Sequence, residues 1–352
     1  MTSSLKHVGL DVHQATTVAA VRNDGGRVIA RTILPTESGP LLEYFRGMAG
    51  TIRVALEEGT QAQWLYDLLT PVVAEVIVCD RRGESVNGSK ADRADAEQLS
   101  DLLRRGALRP VYHAGSHRAT IRELARCYQS LVDDSTRVML RLKALFRARG
   151  IKTPGRTVYR SQQAWLRRLP DAGARFRAET LYAELDLLQR LRPQAKAALL
   201  REARRDPAWD LLQTVPYFGP VRVALILATM QTPWRFRTKR QLWAYAGLAV
   251  VTRTSAEYQL AGARPVRRPR RPMTRGLNRN HNPALKNLLK GAATAAATRA
   301  GPLQAFYQDM LQRGMRPELA RVTLARKLAA VILHLWKTGD PYDARLLTVP
   351  AS

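Results

Sequence analysis

Cysteine is scarce in this chain: Cys79 and Cys127 are the only two in 352 residues. Their wide separation fits neither a thiolate metal site nor a disulfide framework, and a reducing cytoplasm is the expected compartment. Long apolar runs are missing as well. No stretch approaches the length of a membrane-spanning helix, and the N-terminal residues lack the hydrophobic core of a signal peptide. The six histidines make no metal motif. His113 and His117 are four apart, but Gly115 lies between them in a predicted loop, so surface positions are expected for both. No glycine-rich phosphate loop and no internal repeat is apparent. The sharpest absence is of negative charge: between Tyr258 and Gln308 there is no acidic residue, against ten basic ones.

What is present is strongly basic, with 57 Lys and Arg against 29 Asp and Glu, a net charge of +28. The excess is not spread evenly. Residues 1–110 carry 13 basic and 14 acidic side chains, and the remaining 242 carry 44 and 15. A nearly neutral part joined to a polycation suggests a catalytic module attached to a nucleic-acid-binding one, because cationic side chains gain affinity by releasing the counterions of phosphates. A bacterial, nucleoid-associated protein is the expectation.

The acids of the neutral part fall in a suggestive order. Asp11 sits in Val8-Gly-Leu-Asp-Val12, at the end of an apolar run. Glu57 and its neighbour Glu58 close a second, Ile52-Arg-Val-Ala-Leu56. Asp92 and Asp95 open an amphipathic helix in Lys90-Ala-Asp-Arg-Ala-Asp-Ala-Glu97, with Leu99, Leu102 and Leu103 as its apolar stripe. Residues three apart share a helical face, so both carboxylates point at one spot. Between the first two acids the pattern predicts strands over Thr16–Val21 and Val28–Leu34, joined by a turn at Asn23-Asp24-Gly25-Gly26. A helix over Gln61–Leu69 and a strand over Val76–Val78 follow. This is an RNase H-like order, in which adjacent strand ends and a covering helix gather four carboxylates. Such hard oxygen ligands suit Mg²⁺ or Mn²⁺ and the cleavage of phosphodiesters. Taken singly, Asp11 reads as a strand-end turn residue and Glu57 as a solvated strand end.

The rest of the chain reads as helical. A long pattern from Ser116 to about Arg149 is broken by Gly150 and Pro154. A second runs from about Ala178 to Arg204 and is expected to be interrupted at Pro193. Together they suggest an antiparallel coiled-coil arm. Leu211-Leu-Gln-Thr-Val-Pro-Tyr-Phe-Gly-Pro-Val-Arg-Val-Ala224 resembles a helix-hairpin-helix, whose turn amides and second helix face a phosphate; an ordinary pair of helices fits the segment equally well. Arg264, Arg267, Arg268, Arg270, Arg271, Arg275 and Arg279 are punctuated by Pro265, Pro269 and Pro272. The prolines predict an extended nucleic-acid-binding segment. Helices restart at Asn282 and over about Pro317–Trp336. The predicted organisation is therefore an α/β RNase H-like (RuvC-like) domain over 1–110, a helical coiled-coil arm over 111–205, and a mostly α C-terminal domain over 206–352.

These residues resemble one family over nearly the whole chain: the DEDD-type insertion-sequence transposases, bridge-RNA-guided serine recombinases with a RuvC-like domain. Gly9-Leu-Asp-Val12 is similar to the family's first motif, Leu56-Glu-Glu-Gly-Thr60 to its second, and Lys90-Ala-Asp-Arg-Ala-Asp-Ala96 to its third. By position Glu57 matches the family Glu; the altered residues after it leave Glu58 as an alternative. Val215-Pro-Tyr-Phe-Gly-Pro220 resembles the family's Ile-Pro-Gly-Ile-Gly turn. The family's Ala-Gly-Leu, followed after a spacer by a nucleophilic Ser-Gly, is matched by Ala246-Gly-Leu248 and Ser255, with Ala256 in place of Gly. Thr252 and Thr254 lie close by. The resemblance implies Mg²⁺ (or Mn²⁺) on Asp11, Glu57, Asp92 and Asp95, and a phosphoserine intermediate at Ser255 that stores the energy of the broken bond. It also implies DNA ends and a target as substrates, a guide (bridge) RNA, and a homodimer or homotetramer. Three rivals stand beside it: a RuvC-like junction nuclease in which water attacks, an actin- or sugar-kinase-like ATPase, and a non-catalytic RNA-binding protein.

Overall fold

A computed structural model describes residues 4–80, 92–113, 116–253, 258–261, 264–267 and 273–347. The chain divides into two compact units, residues 1–116 and 117–352. The first is mixed α/β and the second mostly helical. Among the described residues no helix is long and apolar enough to cross a membrane.

The first unit is built on five strands: β1 (Leu5–Val12), β2 (Thr16–Asn23), β3 (Val28–Pro35), β4 (Thr51–Glu57) and β5 (Glu75–Cys79). Their spatial order is β3-β2-β1-β4-β5. The first three form an antiparallel meander through tight turns, whereas β4 and β5 join in parallel. The parallel joins need crossovers, supplied by α1 (Ser38–Arg46) and α2 (Ala62–Leu69). Leu41, Phe45, Leu65 and Leu69 bury on one face of the sheet with Val8, Leu10, Val54 and Leu56. The opposite face takes α3 (Asp92–Arg104), whose Ala96 packs with Val18 and Ala20. Strand β5 is not a bare edge: Val111 N–H donates to Val78 O at 2.7 Å and Asp80 N–H to Arg109 O at 3.3 Å.

The second unit begins with two 32-residue helices, α4 (Ser116–Arg147) and α6 (Ala172–Ala203), separated by the short α5 (Gln162–Leu166). Val138, Leu142 and Phe146 of α4 share a small core with Trp165, Leu181, Tyr182 and Leu185. Ile121 and Ala125, near the start of α4, share a different core with Leu199 and Ala203, near the end of α6. The two helices are therefore antiparallel, with a core at each end of the pair and an exposed waist between. Pro193 does not interrupt α6, contrary to the sequence-based expectation. It lies in the exposed waist, and burial on both sides of it offsets the ~3 kcal/mol cost of a mid-helix proline. The helix also starts earlier than its periodicity suggests, because Asp171 caps it, accepting from Ala174 N–H at 2.6 Å.

The larger core of this unit continues through α7 (Trp209–Gln213), α8 (Pro220–Met230), α9 (Lys239–Tyr245), α10 (Pro283–Thr298), α11 (Pro302–Gln312) and α12 (Pro317–Thr338). Between α7 and α8 the backbone turns at Tyr217, which takes a left-handed φ of 69°. Glycine stands at this position in the resembled turn, and it adopts that conformation without a steric penalty. Here Arg222 Nη1 donates to Tyr217 O at 2.7 Å and the Tyr217 hydroxyl to Arg299 O at 3.3 Å, pinning the turn. Between α9 and α10 lie four short strands: β6 (Val250–Arg253), β7 (Tyr258–Ala261), β8 (Arg264–Arg267) and β9 (Met273–Leu277). β6 pairs with β9 and β7 with β8, both antiparallel. The basic segment is extended where it is described, as its prolines predict.

Candidate active site

Asp11 and Glu57 are brought together by strand register. Gly9 of β1 lies beside Ala55 of β4 and Leu10 beside Leu56, in parallel. Continuing that register sets Asp11 next to Glu57, at the C-terminal ends of adjacent strands. Side chains two apart on a strand share a face, so Gly9 and Asp11 face the same way, as do Ala55 and Glu57. Leu10 and Leu56 face the α1/α2 core; the two carboxylates therefore belong to the α3 face.

Helix α3 crosses that face at very short range because residue 9 has no side chain. A Cβ on Gly9 would overlap the carbonyl oxygen of Ala96 and come within 2.6 Å of Ser100 N and 3.0 Å of Leu99 Cβ. At the other end of α3, Arg104 lies beside Gly26 in the β2–β3 turn, which is at the start of β1 because Asn23 pairs with Lys6. The helix thus runs antiparallel to β1, with its N-terminus over the strand ends that carry Asp11 and Glu57. Asp92 precedes Ala96 by four residues, about 6 Å along the helix. Asp11 follows Gly9 by two, about 6.6 Å along the strand. The backbone of Asp92 therefore stands level with Asp11. The positive end of the α3 dipole also lies where the acids collect.

Other groups hold this arrangement. Arg22 of β2 reaches across to α3, donating from Nε to Ser100 Oγ and from Nη2 to Glu97 O, each at 3.3 Å. Arg31 of β3 pairs with Glu97, and this hydrogen bond holds the Glu97 carboxyl below its usual range. His13 Nε2 lies 3.2 Å from Asp11 Oδ2. Sequence reasoning did not single out Arg22, Arg31 or His13, since lone cations and an exposed His carry no spacing signal.

Glu58 is differently placed from Glu57. His113 Nε2 lies 2.8 Å from Glu58 Oε2, and His113 Nδ1 lies 2.9 Å from Gln63 Oε1. The residue is only 7 % exposed and its ring lies against Tyr66, so the expected surface position for His113 is incorrect. The segment that edges β5 carries it inward. His117 belongs to a separate cluster at the base of the long helices, 2.9 Å from Glu202 Oε1. It is partly exposed.

An all-oxygen donor set at two adjacent strand ends under a helix N-terminus fits a hard divalent cation. Among the described residues no three of His, Cys, Asp and Glu gather at ligating distance. The side chain of Asp92 lies outside the described residues; Asp95 is half-buried on α3.

In the second unit, Gly247 takes a φ of +64°, and a Cβ there would run into the His281 ring. Around it, Leu248 N–H donates to Trp243 O at 2.7 Å, Arg326 Nε to Leu248 O at 2.6 Å and Asn278 N–H to Ala249 O at 3.0 Å. The Ala246-Gly-Leu248 motif is thus a tight turn clamped just before β6. Ser255 follows β6 by two residues and, with Thr254, lies outside the described residues, as do Arg268, Arg270 and Arg271. Arg264, Arg267 and Arg275 belong to β8 and β9, as Thr252 belongs to β6; their side chains are not among those described. Arg279 is exposed just after β9.

Comparison with known proteins gives these placements a family. Residues 8–148 match a transposase family of the DEDD IS110 type, and residues 209–308 match the family described as Transposase IS116/IS110/IS902. A Sinorhizobium fredii (strain NBRC 101917 / NGR234) protein, provisionally named transposase y4pF/y4sB, is 24% identical over 266 residues. That match covers 73% of this chain and 65% of the relative, so the chain spans somewhat less than two thirds of the relative's length. The first match contains the two strands and the helix that bear Asp11, Glu57, Asp92 and Asp95, and the second contains the clamped turn and Ser255; the chain belongs to the IS116/IS110/IS902 family of transposases.

Proposed function

We propose that the protein is a transposase that cuts and rejoins DNA at insertion-sequence ends and target, with an RNase H-like (RuvC-like) first domain over 1–110. The observation that carries this reading is the convergence of Asp11 and Glu57 at adjacent parallel strand ends beneath the N-terminus of α3. The sheet order β3-β2-β1-β4-β5 supports the fold assignment. In this reading Asp11, Glu57, Asp92 and Asp95 hold Mg²⁺ or Mn²⁺, which supplies charge stabilisation at the phosphate under attack. Glu57 is preferred to Glu58, because Glu58 is engaged by His113 while Glu57 shares the face of Asp11.

Ser255 is the nucleophile. Its Oγ loses a proton and bonds to phosphorus, the bridging P–O bond breaks, and the released strand end keeps the leaving oxygen as a hydroxyl. Rejoining reverses the exchange, so no nucleoside triphosphate is consumed. The arginines from Arg264 to Arg279 track phosphates, and a bridge RNA supplies sequence choice by base pairing. The arm over 111–205 joins copies into a dimer or tetramer, with residues 206–352 carrying the serine. Exposed Leu140, Phe176, Leu187 and Leu191 on the two long helices, 63%, 72%, 48% and 37% accessible, support such a contact.

Insertion-end DNA bearing a nick is the substrate for the test. Wild-type protein should form a covalent adduct whose mapped peptide carries phosphate on Ser255. Asp11→Asn and Glu57→Gln should lower cleavage by about 10²-fold or more with binding retained, whereas Glu58→Gln should cost far less. Cleavage with no adduct anywhere would instead assign the attack to water, as in a junction nuclease. Phosphate on Thr252 or Thr254 would move the nucleophile.

A further inference from the structure

The far end of the helix pair, residues 141–177, carries eleven basic side chains and one acidic one. The acid is Asp171, and its partner is Arg149. Residues 178–189, the exposed turns of α6 that follow, reverse the sign with three acidic side chains and no basic one. The cations therefore belong to the end of the pair, and the core formed there by Val138, Leu142, Phe146, Leu181 and Leu185 holds them on a fixed scaffold. Cohesion of the tip does not need them; their placement calls for another explanation.

One flank of the tip gathers five of them. The segment after α4 is fastened to the helices at three points. Lys143 Nζ donates to Gly155 O at 3.0 Å, the Tyr159 hydroxyl to Met139 O at 3.2 Å, and the Tyr182 hydroxyl of α6 to Val158 O at 2.7 Å. Met139, Lys143 and Arg147 recur every four residues and so share one face of α4. Arg156 and Arg160 flank the single turn Thr157–Tyr159, which lies along that face, and Lys152 precedes them in the same segment. Arg147, Lys152, Arg156 and Arg160 are exposed. Lys143 is engaged by the Gly155 carbonyl and lies 5.6 Å from the centre of the Tyr159 ring, but neither contact cancels its charge. A second copy of the chain brings no matching surface, because its densest acidic run is the three acids of residues 178–189 against an excess of ten cations. The one ring among these cations, Tyr159, is half-buried beneath Lys143 with its hydroxyl spent, so it is not free to stack an unpaired base. Fixed cations without a free ring suit the backbone of a duplex rather than a single strand.

We propose that this flank of the tip, Lys143, Arg147, Lys152, Arg156 and Arg160, is a docking surface for the phosphate backbone of duplex DNA, held without regard to sequence. Phosphates recur along a duplex whatever its bases, so cations on a fixed scaffold position the duplex and leave sequence choice to other contacts. The proposal rests on the reading of the protein as a DNA transposase, and it adds a contact on the helix pair to the one assigned to the Arg-Pro segment.

The probe is a fluorescein-labelled DNA duplex of arbitrary sequence, titrated against the full-length protein by anisotropy at several salt concentrations. The combined variant Arg147→Gln, Lys152→Gln, Arg156→Gln and Arg160→Gln should lower the slope of log affinity against log salt by about three to four units and weaken binding about tenfold or more. A control, Arg190→Gln, Lys196→Gln, Arg201→Gln and Arg204→Gln, removes the same charge from exposed positions of α6 beyond the tip and should leave the slope within about one unit of wild type. Equal losses in the two variants overturn the proposal, as does an unchanged slope in the first. A larger defect for double-stranded RNA of the same length overturns the choice of DNA, and a fall in oligomeric mass with duplex affinity intact replaces DNA by a second copy. Should the first variant fold poorly, wild-type protein decides. Trypsin cleavage after Arg156 and Arg160 should slow severalfold under saturating duplex, and cleavage there at an unchanged rate overturns the site. A protein that binds duplex with the tip still open to trypsin loses only this surface; one that binds no duplex loses the transposase reading too.

Discussion

The two units solve opposite electrostatic problems. Residues 1–110 carry 13 basic and 14 acidic side chains, and their structure sets two of the acids, Asp11 and Glu57, at one end of a sheet. That placement is a matter of backbone: strand register pairs β1 with β4, and the missing side chain at Gly9 lets α3 descend over them. Residues 111–352 carry 44 basic side chains against 15 acidic, and hold them outside a core rich in leucine and alanine. Self-repulsion of that many cations is tolerated because apolar helix faces supply the cohesion. In the first unit, then, the proposed metal site depends on a few close approaches; in the second, Ser255 apart, the proposed phosphate contacts are spread over many charges. Single substitutions should be severe in one and, outside Ser255, mild in the other.

The sharpest break of that contrast is Gly9→Val. Its side chain would meet the Ala96 carbonyl and the Ser100 amide, neither of which is the tip of a flexible side chain. The expected cost is at or above the upper end of the ~1–3 kcal/mol typical of overpacking. In calorimetry the first unit should melt early while the transition of residues 117–352 stays in place. An unshifted first transition would mean that α3 does not lie on Gly9, and with it would go the placement of Asp92 over Asp11.

The second unit should answer in increments. Neutralising Arg267, Arg268, Arg270 and Arg271 together should reduce the slope of log affinity against log salt by several units, near one for each phosphate that no longer has a cationic partner. The fold should be unaffected. An unchanged slope would take the Arg-Pro segment off the phosphate backbone.

The same contrast governs what the sequence reveals. Strands β1 to β3 and the helix bearing Asp92 and Asp95 are legible because alternating and 3.6-residue patterns have one reading each there. Helix α1 is not, since Leu41 and Phe45 are too few to declare a period. Motif position favours Glu57 but leaves Glu58 open, and register and the His113 contact set them apart. The burial of His113 has no local signal, because it depends on residues 109–111 running along β5. Pro193 misleads for the opposite reason: a local rule against mid-helix proline yields to two distant cores.

Self-association probes the arm. The paired substitution Leu140→Glu and Leu187→Glu changes only exposed positions, so both helix-end cores remain. Light scattering should show the oligomer fall toward monomer mass, with the melting temperature of each unit nearly unchanged. Oligomeric mass equal to wild type would assign the exposed leucines another role.

The smallest effect concerns the tip of the helix pair. Asp171 caps α6 through Ala174 N–H, and Arg149, just past the end of α4, donates from Nε to its Oδ2 at 2.9 Å. These two contacts, with the Arg149 hydrogen bond the larger, hold the Asp171 carboxyl below the usual aspartate value. A carboxyl depressed in the folded state binds its proton at lower pH than the unfolded chain does. Its contribution is therefore complete above the ordinary aspartate range and disappears as the pH falls through the depressed value. Asp171→Asn keeps a capping oxygen while removing the charge. At pH 7 the variant should melt slightly below wild type, and the gap should close on acidification below about pH 4. High salt at pH 7 should narrow it as well, because the ion pair is solvent-exposed. A gap that persists unchanged at pH 3 would show that the asparagine acts through packing or cap geometry, and that the pairing of Arg149 with Asp171 contributes nothing to closing the tip.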